Sequence, residues 1–323
     1  MPWTSGTATD AADLMEQLLA FLTADAALVA DGAAWTLLRR DRFTLDPLRD
    51  LAELRGPGSS AADAIYVQLT LYADPAAPAY ALRVLGSQSW ESAIAIVNPE
   101  GQPGSLLAGA GSLGIQPRMP LFNSAISYWF VANARRFIVV AKSSAYWGAL
   151  YAGFILPYGT PAQYPYPLFI GANTATNDNY QSATLDVAGS AFWRNDGDDD
   201  RYGAALLHPG GGWVGTNRHD LANTGRTWPW SLSIDAKKTN TGRYDILKLT
   251  QLPNGASPLL PAILYDCSTA RPFNIWGELQ GVFAVPGFDV AAGDTVTVDG
   301  VAHLVVQAAT STNAARFAAI RLF

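Results

Sequence analysis

Cysteine is nearly missing from this chain. Cys267 is the only one in 323 residues, so no intrachain disulfide can form and no cysteine-based metal cluster can be built. That points to a reducing compartment, or to one where disulfides are not needed. Charge is scarce too: Asp, Glu, Lys and Arg make up 15% of the chain, against roughly 25% in ordinary soluble domains. So little charge leaves less solvated surface than a free monomer would want, which favours an assembly that hides surface. Histidine is limited to His208, His219 and His303, far apart in sequence. Long apolar runs are also absent. The longest candidate, Ala145 to Tyr158, carries Gly148 and Gly153 and is ended by Pro157, well short of the roughly 20 residues a membrane helix needs. The opening MPWTSGTATD has no basic segment before an apolar core and does not read as a secretory signal. The expectation is a soluble product with no membrane contact, not exported by the general pathway.

The net charge of −6 and a pI near 5.0 remove nucleic acid as a partner, because phosphate binding needs clustered Lys and Arg. Arg39, Arg40 and Arg42 form the densest basic patch, but Asp41 and Asp46 interleave them. The patch reads as a solvated edge.

What the chain does have is apolar and aromatic material, 49% of residues being hydrophobic. That is enough for a sizeable core in two compact units or one large β-rich one. The stretch Ile126 to Gly171 organises the rest. Tyr128–Val131 and Phe137–Ala141 read as strands joined by Asn133-Ala134-Arg135-Arg136, with Asn133 tolerating positive φ in the turn. Neither alternate set in Phe137–Ala141 is polar, so both faces of that strand should be buried. A third apolar run, Leu150 to Leu156, follows the turn-like Lys142-Ser143-Ser144. Pro157, Pro161, Pro165 and Pro167 then impose a rigid, extended, aromatic-lined strap.

Four regions follow from the composition. Residues 1–120 are an N-terminal α+β region, and 121–171 hold the central hairpin and the strap. Residues 172–242, dense in Asn, Asp, Gly, Thr and Trp, read as a turn-rich β insertion or subdomain. Residues 243–323 form a C-terminal β region. A helix over Asp13–Thr23, capped by Thr9 or Asp10, presents Leu14, Leu18, Phe21 and Leu22 on one face. Trp35–Leu38 is a short strand. Ile65–Tyr72 alternates apolar with wetter residues and pairs with Ala81–Leu85, and a Gly- and Pro-rich loop runs from Asn98 to Pro120. Later strands are read at Thr184–Val187, Ala205–Leu207, Tyr244–Leu249, Ala262–Asp266 and Trp276–Val285. The sharpest local signal is Asp299-Gly300, a type I′ hairpin turn that would set His303 opposite Val296. The last strand ends the chain within Ala314–Phe323. The fold class is therefore α+β, predominantly antiparallel β, sandwich- or barrel-like, with an N-terminal helix.

Chemistry is harder to find. Gly109-x-Gly111-x-x-Gly114 matches a dinucleotide loop by spacing, yet no strong strand precedes it and Pro117 and Pro120 block a following helix. Asp196, Asp198 and Asp200 match the first ligands of a calcium loop, but Arg201 stands where its tight-turn Gly belongs and Leu207 where its bidentate Glu belongs. An irregular cation site and a solvated acidic turn remain, the second preferred. Neither a Gly-x-Ser-x-Gly elbow nor a His-Glu-x-x-His pair occurs. The sequence thus offers no catalytic, cofactor-binding or metal residue. Its candidates are aromatic anchors: Tyr158, Tyr164, Tyr166 and Phe169 on the strap, and Trp228 and Trp230 in Trp228-Pro229-Trp230. Rigid aromatics anchor interfaces at low entropy cost and also stack on sugars. Packing of the strap on its own domain is the competing reading, as core packing is for Trp193, Trp213, Trp228 and Trp230.

Several of these words resemble a family of virion structural proteins of tailed bacteriophages and prophages. They are Met1 to Ala8, Tyr128 to Asn133, Arg136 to Lys142, Gly153 to Pro161, Gln163 to Leu168, Trp276 to Val285, and the last hairpin. The resemblance covers both ends and the centre, and does not extend to Ala172–Gly242. It implies a non-enzymatic component of the tail, baseplate, tail tip or neck, resident in the virion. Its partners would be other virion proteins and copies of itself. The competing classes are a carbohydrate-binding host-recognition module and a glycan hydrolase.

Overall fold

A computed structural model describes residues 2–59, 63–74, 79–107, 116–173, 191–193, 203–216, 225–228, 252–253, 258–266, 274–287, 289–310 and 317–322. Strand β1 (Trp3–Ala8) leads to helices α1 (Ala11–Ala24) and α2 (Ala26–Ala30). A meander follows: β2 (Thr36–Arg42), β3 (Arg49–Gly56), β4 (Ile65–Asp74), β5 (Ala79–Ser87) and β6 (Arg118–Leu121). Then come β7 (Ile126–Asn133), β8 (Arg136–Ser143), β9 (Tyr146–Phe154), β10 (Leu156–Pro157), β11 (Leu168–Gly171), β12 (Ala204–Leu207), β13 (Trp213–Thr216) and β14 (Gly225–Trp228). The last strands are β15 (Leu260–Asp266), β16 (Ile275–Ala284), β17 (Thr295–Val298), β18 (Val301–Gln307) and β19 (Phe317–Arg321). The chain is thus mostly antiparallel β with helix at its N-terminal end, as the sequence predicts.

The strands form two sheets. The smaller has the order β2-β3-β4-β5-β6. The larger runs β1-β7-β8-β9-β11-β12-β13-β14-β15-β16-β19-β18-β17, with β10 pairing back onto β16. The smaller sheet packs through β4, β5 and β6 on β9 and β11 of the larger, and α1 touches both sheets. Side-chain alternation then divides the interior. Phe137, Val139 and Ala141 of β8, with Leu150, Ala152 and Phe154 of β9, share one core with Leu14, Leu18 and Leu22 of α1 and Val67, Leu69, Leu82 and Val84 of the smaller sheet. Ile138 and Val140, with Trp147, Ala149 and Tyr151, face the other way, into a second core with Trp193, Leu264, Trp276, Leu279, Val282, Leu304 and Ile320. Period-two alternation on a strand with no polar set forces this sandwiching, and β9 is buried at every position.

Local chemistry explains the ends and turns. Asp10 is the N-cap of α1 and accepts the Asp13 amide, while the Thr9 amide donates to Asp13 Oδ2 at 2.8 Å. Asp299 and Gly300 have φ of 52° and 76°, the positive pair that a type I′ turn requires, and Val296 lies opposite His303. The β7–β8 turn departs from expectation. No positive φ occurs there; Asn133 Oδ1 instead accepts the amides of Arg135 and Arg136 at 2.8 and 3.0 Å, so the side chain makes the turn that φ was expected to make.

One further expectation is corrected, and two features extend the sequence reading. Arg49–Gly56 is a full strand, although its apolar and charged residues show no clean alternation in sequence. The wetter face of β4 is not wet: Gln68, Thr70 and Tyr72 are buried, Gln68 Nε2 donating to the Ile96 carbonyl at 2.7 Å, Thr70 Oγ1 accepting from Arg83 at 3.0 Å and the Tyr72 ring lying under arginine side chains. Lastly, β12, β13 and β14 continue the larger sheet, so the described part of 172–242 is built into the main body. Trp193 lies at 0% exposure in the second core, and Trp213 Nε1 donates to the Gly104 carbonyl at 3.0 Å. The strands read at Thr184–Val187 and Tyr244–Leu249 lie outside the described residues.

Candidate functional site

The strap is where an assembly surface is expected, and the structure turns most of it inward. Phe169 is fully buried against Tyr151 and Phe192. Tyr164 is also buried, its hydroxyl donating to the Leu207 carbonyl at 2.5 Å. The Tyr166 hydroxyl donates to the Ala64 carbonyl at 2.8 Å, and its ring meets Phe154 edge-on at 4.9 Å. Burial raises the hydroxyl pKa of Tyr164 and Tyr166 above the ordinary tyrosine value. Tyr164 and Phe169 are therefore internal fasteners, and as interface anchors they are corrected; Tyr166 is half-buried, its hydroxyl turned inward and its ring left at a groove. The prolines that were expected to preorganise the strap for a partner preorganise it for its own domain. Tyr158 differs: it is 55% exposed, with its hydroxyl donating to Glu278 Oε2 at 3.2 Å. Trp228 lies on β14, and Trp230 falls outside the described residues.

By docking inward the strap forms one wall of a groove. The other walls are Ala64 and Tyr66 at the start of β4, Gln88 and Ser89 after β5, and the β12–β13 turn from Leu207 to Gly211. The groove encloses about 490 Å³. The β12–β13 turn is held by its own bonds: His208 N to the Gly212 carbonyl at 2.7 Å, Gly211 N to the His208 carbonyl at 2.8 Å, and Gly210 N to His208 Nδ1 at 3.1 Å. Because Nδ1 accepts, the neutral imidazole carries its proton on Nε2. The His208 ring packs edge-on to Trp276 at 5.9 Å. Gln88 Nε2 reaches the Gly211 carbonyl at 3.5 Å, bridging two walls.

Chemically this is a place to bind. Its lining offers the rings of Tyr66, Tyr166 and Pro165 for stacking, with amide, hydroxyl and imidazole donors at Gln88, Ser89 and His208. Among the described residues no carboxylate lines it, and the Tyr164 and Tyr166 protons are committed to backbone carbonyls.

The basic patch has a different fate. Arg39 is paired in a fork with Glu53, which also accepts Trp90 Nε1 at 2.6 Å. Arg40 bridges two elements, reaching Glu16 Oε1 on α1 at 2.8 Å and Asp50 Oδ2 on β3 at 2.5 Å. It lies on an edge strand as expected, but as an ion-pair lattice that fastens the helix to the sheet. On the outer face of that sheet the guanidiniums of Arg49, Arg83 and Arg118 lie 4.9–5.4 Å from the Tyr72 ring. None of this was signalled by sequence, since cross-strand pairing needs the register.

His303 is buried. Its pKa is lowered mainly by burial, and its ring lies edge-on to Phe283 at 5.3 Å. Gly109, Gly111, Gly114, Asp196 to Asp200 and His219 lie outside the described residues. Among the described residues no group of three or more His, Cys, Asp or Glu side chains is close enough to hold a metal ion. No described helix is long and apolar enough to cross a membrane. No protein-family model matches the chain, and no curated protein matches it.

Proposed function

We propose that this chain is a non-enzymatic structural component of a tailed-phage particle, working by assembly with other virion proteins and with copies of itself. Tail, baseplate, tail tip and neck are the positions it suits. One observation carries the reading. The words that resemble virion proteins are scattered from Met1 to the last hairpin, yet they meet in one sheet. β1 lies on β7, β7 on β8, β8 on β9, β10 on β16, and β16 leads through β19 to the β17–β18 hairpin. What resembles the family is thus one sheet whose central strands β8 and β9 are buried on both faces, and the low charge of the chain suits a part packed among neighbours. The test is the composition of particles from a lysogen carrying the gene. Mass spectrometry of purified particles should find this chain as a stoichiometric component. Its presence in the lysate but not in particles overturns the reading.

The tyrosine-lined groove favours a second reading, a glycan contact during host recognition. Rings beside amide and hydroxyl donors are the usual complement of sugar rings and their hydroxyls. Binding on a bacterial glycan array that is lost on Tyr66→Ala supports it; binding unchanged by that substitution removes the groove from consideration.

A further inference from the structure

An antiparallel ladder sends the backbone groups of alternate residues in opposite directions, and the register of β1 on β7 fixes which go where. Trp3 lies opposite Val131, Ser5 opposite Trp129 and Thr7 opposite Ser127, while the Ala132 amide donates to the Pro2 carbonyl at 3.1 Å. Pro2 and Ala132 are therefore a bonded pair, and so in turn are Thr4 with Phe130, Gly6 with Tyr128 and Ala8 with Ile126. The N–H and C=O groups of Trp3, Ser5 and Thr7 point the other way, to the outer edge of the larger sheet. Among the described residues nothing pairs with them, and β1 stands at the end of the strand order. Ser5, Gly6 and Thr7 are exposed, and Trp3 is 39% exposed.

Open edges are normally blunted with charge, proline or brevity. The other terminal strands of the two described sheets are. β2 carries Arg39, Arg40, Asp41 and Arg42, β6 is four residues long with Pro120 inside it, and β17 is four residues long between Asp294 and Asp299. β1 has none of these devices over six residues, Trp3-Thr4-Ser5-Gly6-Thr7-Ala8.

We propose that β1 pairs antiparallel with β1 of a second copy, about a two-fold axis at Ser5. An edge of backbone donors and acceptors recognises another extended strand, and this one is complementary to itself. With Ser5 facing Ser5 of the other copy, Trp3 faces Thr7 and Thr7 faces Trp3. Every outward residue then meets an outward residue, each pair exchanging both of its bonds. Charge at the join permits this partner: two copies each carry a net −6, but neither β1 nor β7 brings a charged side chain to the join, so no like charges are opposed across it. The result is one continuous sheet running through both copies. The inference rests on the assembly reading and deepens it by naming the surface and the partner.

The test uses the full chain and sedimentation equilibrium, with Ser5 as the lever because it would face itself across the axis. The wild type should have twice the 34.4 kDa chain mass. Ser5→Lys and Ser5→Asp alone should each fall to the single-chain mass, since like charges would be directly opposed. Mixing the two should restore the double mass. Ser5→Pro should also be single, because it removes an outward N–H and leaves the β7 ladder intact. Melting curves show that each variant is folded. A monomeric wild type, a charge variant that stays dimeric, a mixture that stays monomeric or an open-ended series of masses overturns the pairing. None of these touches the particle-composition test, so a chain found in particles whose Ser5 variants behave like wild type keeps the assembly reading and loses this edge.

Discussion

The Tyr164 hydroxyl donates to the carbonyl of Leu207 at 2.5 Å, across 43 residues of chain. It thereby ties the proline strap to the β12–β13 turn inside the protein. Tyr164→Phe should cost about 1–3 kcal/mol, because it leaves the Leu207 carbonyl without this donor. Changing Tyr164 and Tyr166 together to Ala should cost more, since ring volume is lost as well. Chemical denaturation of the isolated chain measures both. A double variant as stable as wild type would mean that the strap does not fasten the domain.

At the far end, Gly300→Val should destabilise by about 1–3 kcal/mol. Gly300 sits at φ 76°, which a β-branched residue tolerates poorly, and space is not the issue because nothing lies within 4 Å of an added Cβ. Gly300→Asn should recover part of the loss, as Asn accepts positive φ. Equal melting temperatures for the Val and Asn variants would count against backbone strain as the cause.

The Arg40 bridge gives a pH signature. The hydrogen bond from Arg40, ahead of its charge and that of Arg42, lowers the Glu16 pKa below its ordinary value of 4.5. A carboxylate with a depressed folded pKa contributes stability that is present above its unfolded pKa and is lost as pH falls through the folded one. Stability should therefore decline as pH drops below about 4.5, and Arg40→Met should flatten that part of the profile. At neutral pH the same substitution should cost about 3–5 kcal/mol, because it leaves the buried Asp50 carboxylate without its partner. A neutral-pH loss well under 1 kcal/mol would show that Asp50 is otherwise satisfied.

Tyr146 offers a gain. Its hydroxyl is buried with no hydrogen-bond partner among the described residues, and burial raises its pKa above the ordinary value. Tyr146→Phe keeps the edge contact with Phe122, 5.5 Å between ring centres, and removes the desolvated hydroxyl. The variant should be more stable by about 1 kcal/mol. A loss of that size would reveal a partner for the hydroxyl.

These residues show what a sequence makes legible. Alternation and turn chemistry are local, so the doubly buried β8 and the Asp299-Gly300 turn could be read directly. The helix cap likewise follows from a few adjacent residues. Arg40 and Tyr164 could not be read, because their partners are decided by register and by strands far away in the chain. Composition misled at the strap for a related reason. Rigid aromatics between prolines have the same signature whether the surface they meet belongs to another protein or to their own domain. Trp193 shows the same ambiguity resolved toward core packing, since it fills the second core.

The pairing of β1 with β7 also sets a timetable for synthesis. Strand β1 has no β7 beside it until Asn133 has followed it out of the ribosome, a wait of roughly ten seconds at ordinary elongation rates. Meanwhile the β2–β6 meander, contiguous from Thr36 to Leu121, can close on itself. The uncharged β1 must therefore wait with both of its edges open. A nascent chain arrested before Ile126 should be the form most prone to aggregate, and one arrested after the β7–β8 hairpin should not.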